Sequence, residues 1–313
     1  MREDPIDSRQ MQIFVALAHG GSLRAAATHL KVTESAISHA IRNLENNLGT
    51  KLFARVGKGL SLTEDGKLFR TEAVKILSRM QDLRSRLSNR SSKRLNEIHL
   101  TCATSFIQFA LPDILREYRR CFPNVEVKVS PADRDTCLKR LETGNTTAAI
   151  LVNMPPESPK YQGSPLFVDE LQVLMAADHE LAAHAAIPVH RLSAENVYLQ
   201  NHNNFTSRMV LSEIQRWSFQ PKNLTYVGNP EALRELIKMK LGISLQPLWA
   251  FREGLDSHHF VWRPAEGLNL QRKWYFAWPR NSVKDLRVRS LMWLCEAAGQ
   301  GLEQGNLRSA PAV

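Results

Sequence analysis

Residues 21–49 read GSLRAAATHLKVTESAISHAIRNLENNLG, and the reading of the whole chain turns on them. The stretch predicts two short amphipathic helices separated by a break at Lys31-Val32. Ser22 can cap the first helix and Thr33 the second, because a hydroxyl oxygen accepts one of the free N–H groups of a helix start. In the second helix, expected over 33–47, Ile37, Ile41, Leu44 and Leu48 recur at 4-3-4 spacing and form one apolar face. Ser35, Ser38, His39 and Arg42 fall on another face, with Glu34 beside them in the first turn. Such a small, polar face suits base edges in a DNA major groove, which short donors and acceptors read. A plain helical hairpin with a solvated outer face has the same pattern, so the flanking sequence must decide.

Residues 51–66, KLFARVGKGLSLTEDG, predict a β-hairpin turning at Gly57-Lys58-Gly59, with Arg55 and Lys58 near its tip. Basic residues on a hairpin beside such a helix suit phosphates or the minor groove. Thr63 can cap a further helix over 64–88, whose first turn carries Glu64 and Asp65, the favourable sign there. Along it Phe69, Ala73, Ile76, Met80, Leu83 and Leu87 are spaced 4-3-4-3-4, a heptad seam. The seam predicts a dimerisation helix that sets two DNA-binding heads side by side; packing on its own domain is the other reading. Ser88 to Arg94 is polar and charged, and suits a hinge.

Charge divides the chain at the same place. Residues 1–95 hold 17 Lys+Arg against 9 Asp+Glu, and the remainder 24 against 22. An excess confined to one end is the footprint of a polyanion partner, with salt-dependent binding. A basic membrane-surface helix fits less well, since the charges are spread over several elements without an interfacial apolar face. At 313 residues the chain should hold two or three domains. It lacks a run of about 20 apolar residues that would span a membrane. MREDPIDSRQ has no apolar secretion segment, so a cytoplasmic location is expected. The four cysteines, Cys102, Cys121, Cys137 and Cys295, lack metal-ligand spacing and are expected to be thiols, mostly buried.

Beyond residue 95 the pattern becomes β-α-β-α-β: a strand at 98–102, a helix through 107–118, strands at 124–129 and 147–152, and a helix at 133–143. Pro112 implies a kink in the first of these helices or a start displaced to that point. A second half follows, with strands near 167–175, 196–200, 223–227 and 242–245 and helices near 207–217 and 230–241. A returning strand at 273–279 and a closing helix at 290–299 complete it.

These residues together resemble a LysR-type transcriptional regulator over nearly the whole length. The resemblance is carried by Ile6 to Phe14, Gly21-Ser22-Leu23, Ala25-Ala26-Ala27, Ser35-Ala36-Ile37-Ser38, Ile41, Leu44-Glu45, Leu48-Gly49, Leu52 to Arg55, Gly57-Lys58-Gly59, Leu62-Thr63 and Gly66. Phe122 to Glu126, and Leu241 to Leu245 with Pro247, add weaker matches. It implies an α+β multi-domain chain: a winged helix-turn-helix at 1–63, a dimerisation helix at 64–88, a hinge at 89–95 and an effector domain at 96–305. The effector fold would be similar to periplasmic binding proteins, with subdomain I at about 96–164 and 269–305 and subdomain II at about 165–268. Expected partners are double-stranded DNA with an inverted-repeat operator, further copies of the chain as a homodimer and homotetramer, and RNA polymerase; no membrane is expected. Thr33, Glu34, Ser35, Ser38, His39, Arg42, Arg55 and Lys58 are the expected DNA-contacting residues. Glu34 departs from the glutamine common at that position, which predicts an unusual operator preference, since a carboxylate can accept from cytosine N4.

By family position, Thr104, Ser105, Ser130, Asn203, Asn204, Phe205 and Gln246 should surround an inducer between the subdomains. Polar groups around one aromatic suit a small carboxylate or polar metabolite; no cofactor and no metal are expected. An enzyme would need a triad, metal cluster or phosphate loop, and GxGxxG, GxSxG and HExxH are all absent. A solute-binding module would leave residues 1–90 without a use. A thiol-redox regulator of the same fold remains as an alternative, but residues 165–265 contain no cysteine.

Overall fold

A computed structural model describes residues 5–20, 22–56, 59–87, 97–155, 158–202, 204–250, 259–280 and 285–303. The N-terminal head packs helices α1 (Ser8–Gly20), α2 (Leu23–Leu30) and α3 (Glu34–Leu48) around one core. It continues into a hairpin of β1 (Phe53–Val56) and β2 (Gly59–Leu62), then the long helix α4 (Glu64–Leu87). The break between α2 and α3 is at Lys31, whose φ of 55° no helix can continue. Thr33 Oγ1 then accepts from Ala36 N at 3.2 Å, capping α3 as its sequence predicts. Gly49, left-handed at φ 69°, closes the other end by donating its N–H to Glu45 O. Ile37, Ile41 and Leu44 are buried, so the predicted apolar face is the packed one.

Glu45 is the buried charge that joins α3 to the hairpin. Its Oε1 accepts from Leu52 N at 2.9 Å and Phe53 N at 3.2 Å, and Oε2 pairs with Lys51 Nζ at 2.7 Å. Burial alone would raise this carboxyl's pKa; the Lys51 ammonium and the two amides outweigh that and hold it below the usual carboxylate range. The start of β1 is thereby fixed relative to α3. Thr63 Oγ1 caps α4 by accepting from Gly66 N at 3.0 Å, and itself donates to Lys51 O at 2.6 Å. Gly66 packs so closely that a Cβ there would stand 2.1 Å from Leu52 O, so this turn admits no side chain.

The heptad seam on α4 does not behave as one surface. Phe69 packs edge-on against Phe14 with centroids 4.9 Å apart, and Ala73 is 1% exposed, so this end of the seam belongs to the head's own core. Ile76, Met80 and Leu83 are 42%, 40% and 58% exposed, and remain an apolar stripe. The expectation of a continuous dimer seam is corrected to that extent, because Phe14 of α1 supplies the apolar partner for Phe69, and Ala73 is buried as well. Another face of α4 buries Arg70, Val74 and Leu77; Arg70 and Val74 share a crevice with Glu117, Cys121, Ser290 and Leu294 of the following domain. Lys58, the side chain of Leu87 and the expected hinge at 89–95 lie outside the described residues.

The second domain comprises β3 (Glu97–Cys102), α5 (Thr104–Phe109), α6 (Leu111–Cys121), β4 (Glu126–Pro131), α7 (Arg134–Glu142), β5 (Ala148–Val152) and β6 (Tyr161–Ala176). Then come β7 (Asn196–Leu199), α8 (Phe205–Arg216), β8 (Asn223–Tyr226), α9 (Pro230–Lys238), β9 (Ile243–Pro247), β10 (Phe260–Arg263), β11 (Gln271–Pro279) and α10 (Leu286–Glu303). The strand order is β4-β3-β5-β11-β6-β9-β7-β8, with β10 also on β6. Strands β4, β3 and β5 are parallel, as are β8, β7 and β9; β11 runs antiparallel to β5 and β6.

Two lobes share one strand. The first part of β6 pairs with β11 as far as Glu170↔Gln271, and the rest pairs with β9 from Leu171↔Pro247 onward and with β10. The expected subdomain boundary at 164/165 thus falls inside a continuous strand, and hydrogen bonding changes lobe between Glu170 and Leu171. The early part of β6 was unreadable because Gly163 and Pro165 interrupt its alternation, and pairing with β11 imposes the strand. Strand β10, four residues long, is too short to show a period. Pro112 settles into the first turn of α6, after a break at Ala110 that makes two helices of the one expected.

Candidate functional site

The helix α3 presents Glu34, Ser35, His39 and Arg42 to solvent, with Ser38 half-buried at the edge of the same face. Thr33 is exposed but its hydroxyl oxygen is engaged in the cap. Asn43 Nδ2 lies 3.3 Å from His39 Nδ1, one turn away, which orients the imidazole on the face. Arg55 is exposed on β1, opposite Leu60, on the hairpin that Glu45 attaches to this helix. An exposed polar helix face beside a basic hairpin is the arrangement that enters a groove while contacting the adjacent backbone.

The second site is a cleft of about 1340 Å³, counting space open to solvent, between the two lobes. It lies beyond the carboxyl ends of β3, β4 and β7, where open α/β sheets take ligands. Of the residues expected there, Thr104, Ser105, Asn204, Phe205 and Gln246 line it. Ser130 does not: β4 continues through Pro131, so Ser130 is a paired strand residue opposite Thr101 and the lining begins at Pro131. Asn203 lies outside the described residues. Asn204 caps α8, its Oδ1 accepting from Ser207 N at 2.6 Å. Gln246, buried on β9, donates from Nε2 to Ser244 Oγ at 3.0 Å. Helices α5, α7, α8 and α9 all begin at the cleft, with Thr104, Arg134, Phe205 and Pro230 as their first residues, so their positive ends converge on it.

Sequence reasoning missed two arginines in the cleft. Arg134 opens α7 in the first lobe, and its guanidinium carbon sits 4.6 Å over the ring of Phe205 in the second. Its position just after the end of β4, at a helix start, is the signal that would have found it. Arg272 lies in Gln271-Arg272-Lys273, which reads as solvated charge, yet it is 4% exposed. Its Nε donates to Asp169 Oδ1 at 2.9 Å, its Nη2 pairs with Asp169 Oδ2, and its Nη1 donates to Thr206 Oγ1 at 3.0 Å. Asp169 Oδ2 also accepts from Trp249 Nε1 at 2.8 Å. This network stands on β6 and β11 next to the change of lobe, and reaches α8 through Thr206. Between helices of the two lobes, Arg208 on α8 pairs with Asp135 on α7 at 2.6 Å, and Gln108 on α5 donates to Glu231 on α9 at 3.4 Å.

All four cysteines are free; Cys102, Cys137 and Cys295 are buried and Cys121 partly so. Burial pushes each thiol up, Cys137 to about 12, which leaves them protonated and poor nucleophiles. That is the opposite of what a redox-sensing cysteine requires. Among the described residues there is no cluster of three His, Cys, Asp or Glu placed to hold a metal, and no helix long and apolar enough to cross a membrane.

Two family models match the chain. Residues 8–67 match the bacterial regulatory helix-turn-helix protein of the lysR family, and residues 92–300 match the LysR substrate binding domain. The RuBisCO operon transcriptional regulator of Allochromatium vinosum is 22% identical over 275 residues, covering 88% of this chain and 90% of that protein. The regulator CbbR of Rhodospirillum rubrum is 26% identical over 275 residues, covering 88% and 91%. Among solved structures, full-length OxyR from Pseudomonas aeruginosa superposes with a TM-score of 0.56 at 22% identity, covering 94% of this chain and 100% of that one. Full-length BenM superposes at 0.55 with 21% identity, covering 98% and 99%. At these identities the superpositions establish the shared fold.

Proposed function

Because the chain belongs to the LysR family of transcriptional regulators, we propose that α3 reads the major groove of an inverted-repeat operator while the β1–β2 wing contacts neighbouring phosphates. The observation that carries this is the exposed face of Glu34, Ser35, His39 and Arg42 on a helix capped at both ends. Ser38, at its edge, and Thr33, at its start, lie close enough to add contacts. Lys58 would join Arg55 on the wing.

Two chains pair along α4 through Ile76, Met80 and Leu83, and Phe69 and Ala73 hold each helix to its own head. Two dimers then form a tetramer. A small organic inducer enters the cleft between the lobes, among Thr104, Ser105, Asn203, Asn204, Phe205 and Gln246. Its differential affinity for two lobe arrangements shifts the placement of the heads, and with it the DNA bend and contact with RNA polymerase.

The test is selection of bound sites from random-sequence DNA over a range of salt. An enriched inverted repeat, with affinity falling steeply as salt rises, supports the reading; no enrichment and no salt slope sinks it. The same selection with Glu34→Gln should alter the preferred base at one position of each half-site. Ile76→Asp combined with Met80→Asp should convert dimers to monomers in analytical ultracentrifugation; an unchanged sedimentation coefficient would remove α4 as the pairing helix.

A further inference from the structure

The cleft has one cation that no acceptor hydrogen-bonds. Among its described lining residues the ionisable groups are Asp133, Arg134 and Arg272. Asp133 is engaged as the cap of α7, accepting from Thr136 N at 2.8 Å. Arg272 is neutralised by Asp169. Arg134 has no hydrogen-bonded partner, and its ion pair is a loose one. The nearest carboxylate oxygen, Asp135 Oδ1, is 3.8 Å from its Nε, outside hydrogen-bond range, and the other oxygen of Asp135 receives Arg208 at 2.6 Å. Nε of Arg134 is buried without any hydrogen-bond partner. The contact with Phe205 holds the guanidinium in place but satisfies none of its five N–H donors. Leaving the buried Nε–H unpaired is costly, and a planar fork of donors matches an oxyanion.

The rest of the cleft limits the ligand further. Val152, Leu199, Leu245 and Trp274 give it apolar walls, and its volume admits a metabolite-sized body. Resting on the proposal that an inducer binds between the lobes, we infer that this inducer is a small organic oxyanion, a carboxylate or a phosphate monoester with an apolar body, and that Arg134 reads its charge. Arg134 belongs to the first lobe and Phe205 to the second, so an anion held here touches both.

The experiment uses the full chain, with binding read by calorimetry and thermal shift. The probes are a panel of small carboxylates and phosphate monoesters, with phenylacetate, butyrate and glycerol 3-phosphate as the simplest members. Each is paired with its uncharged counterpart: phenylacetamide, butyramide and glycerol for those three. Oxyanions should bind and their uncharged counterparts should bind about tenfold more weakly or not at all. Whether the carboxylates or the phosphates lead identifies the headgroup. Arg134→Gln should lose about tenfold or more for the oxyanions while its ligand-free melting temperature stays at the wild-type value, and Arg134→Lys should recover part of the loss. Uncharged counterparts binding as tightly, binding untouched by Arg134→Gln, or no oxyanion of the panel binding would each overturn the inference. Operator affinity measured with each bound compound separates the two ideas. A bound uncharged compound that shifts operator affinity removes the oxyanion and keeps ligand control. A bound oxyanion that needs Arg134 but leaves operator affinity unchanged keeps the inference and removes ligand control.

Discussion

The head and the cleft are built in opposite ways. The polar face proposed to read DNA comes from one helix of 15 residues whose start, end and buried side are set by residues within it or next to it: Thr33, Gly49, and Ile37, Ile41 and Leu44. The cleft comes from segments far apart in sequence: Thr104 and Ser105, Arg134, Asn204 to Ser207, Gln246 and Arg272. A locally specified site tolerates changes elsewhere and fails by small steps. A site assembled across two lobes depends on the few contacts that hold the lobes in register.

That difference can be broken at its strongest point first. Asp169→Ala leaves the buried Arg272 guanidinium without its counter-charge, and should cost the second domain about 3–5 kcal/mol in denaturant unfolding, because an unpaired buried charge is costly. The head should keep its own stability. A loss below about 1 kcal/mol would mean that Asp169 and Arg272 do not join the lobes as argued.

Next is Glu45, which ties α3 to the hairpin through Lys51, Leu52 and Phe53. Glu45→Gln should destabilise the head by about 1–3 kcal/mol at neutral pH. The sign of the pH dependence follows from the depressed pKa. The folded state favours the ionised carboxyl, so its contribution is fully present above the unfolded value near 4.5 and is lost as pH falls through the folded pKa. Wild-type head stability should therefore fall in that acid range more steeply than the variant's in parallel melts. Parallel curves would place the stabilisation elsewhere.

On the reading face itself the effects are smaller and separable. Arg42→Ala should weaken operator binding by about 1–3 kcal/mol and relax specificity at one position. Arg55→Ala should weaken all DNA binding nearly uniformly and lower the salt slope by about one. If both variants change only the salt slope, α3 contacts phosphates and not bases. The smallest effect belongs to Thr33→Ala, about 1 kcal/mol of head stability from the lost cap, with operator preference unchanged. A changed preference would mean that Thr33 reads a base, beyond capping the helix and contacting the DNA at its start.

Legibility in the sequence follows the same division. The helix-turn-helix, the wing, the caps at Thr33 and Thr63 and the parallel β-α-β-α-β run can all be read from periodicity and turn chemistry, since each depends on neighbours within a few residues. On α4 the period alone could not say which part of the seam faces outward: Phe69 meets Phe14 of α1 and Ala73 is buried, whereas Ile76, Met80 and Leu83 are left exposed. In the cleft, Thr104, Ser105, Asn204, Phe205 and Gln246 were identifiable from strand ends and family position. Ser130 was misplaced by a strand end two residues long of its estimate. Arg272 looked like surface charge because nothing local to it reveals Asp169, 103 residues away.

The amino-acid sequence by itself determined most of the elements, the caps at Thr33 and Thr63, the division of charge between a basic head and a near-neutral remainder, and the chemistry on the outer face of α3. These rest on backbone geometry and side-chain spacing, which act over one or two turns. Only the tertiary structure decided how the seam is divided, where one lobe passes into the other along β6, and which cation in the cleft is left without a hydrogen-bond acceptor. Those outcomes depend on which distant side chains meet, and a buried charge differs from a solvated one only through the partners that folding brings to it.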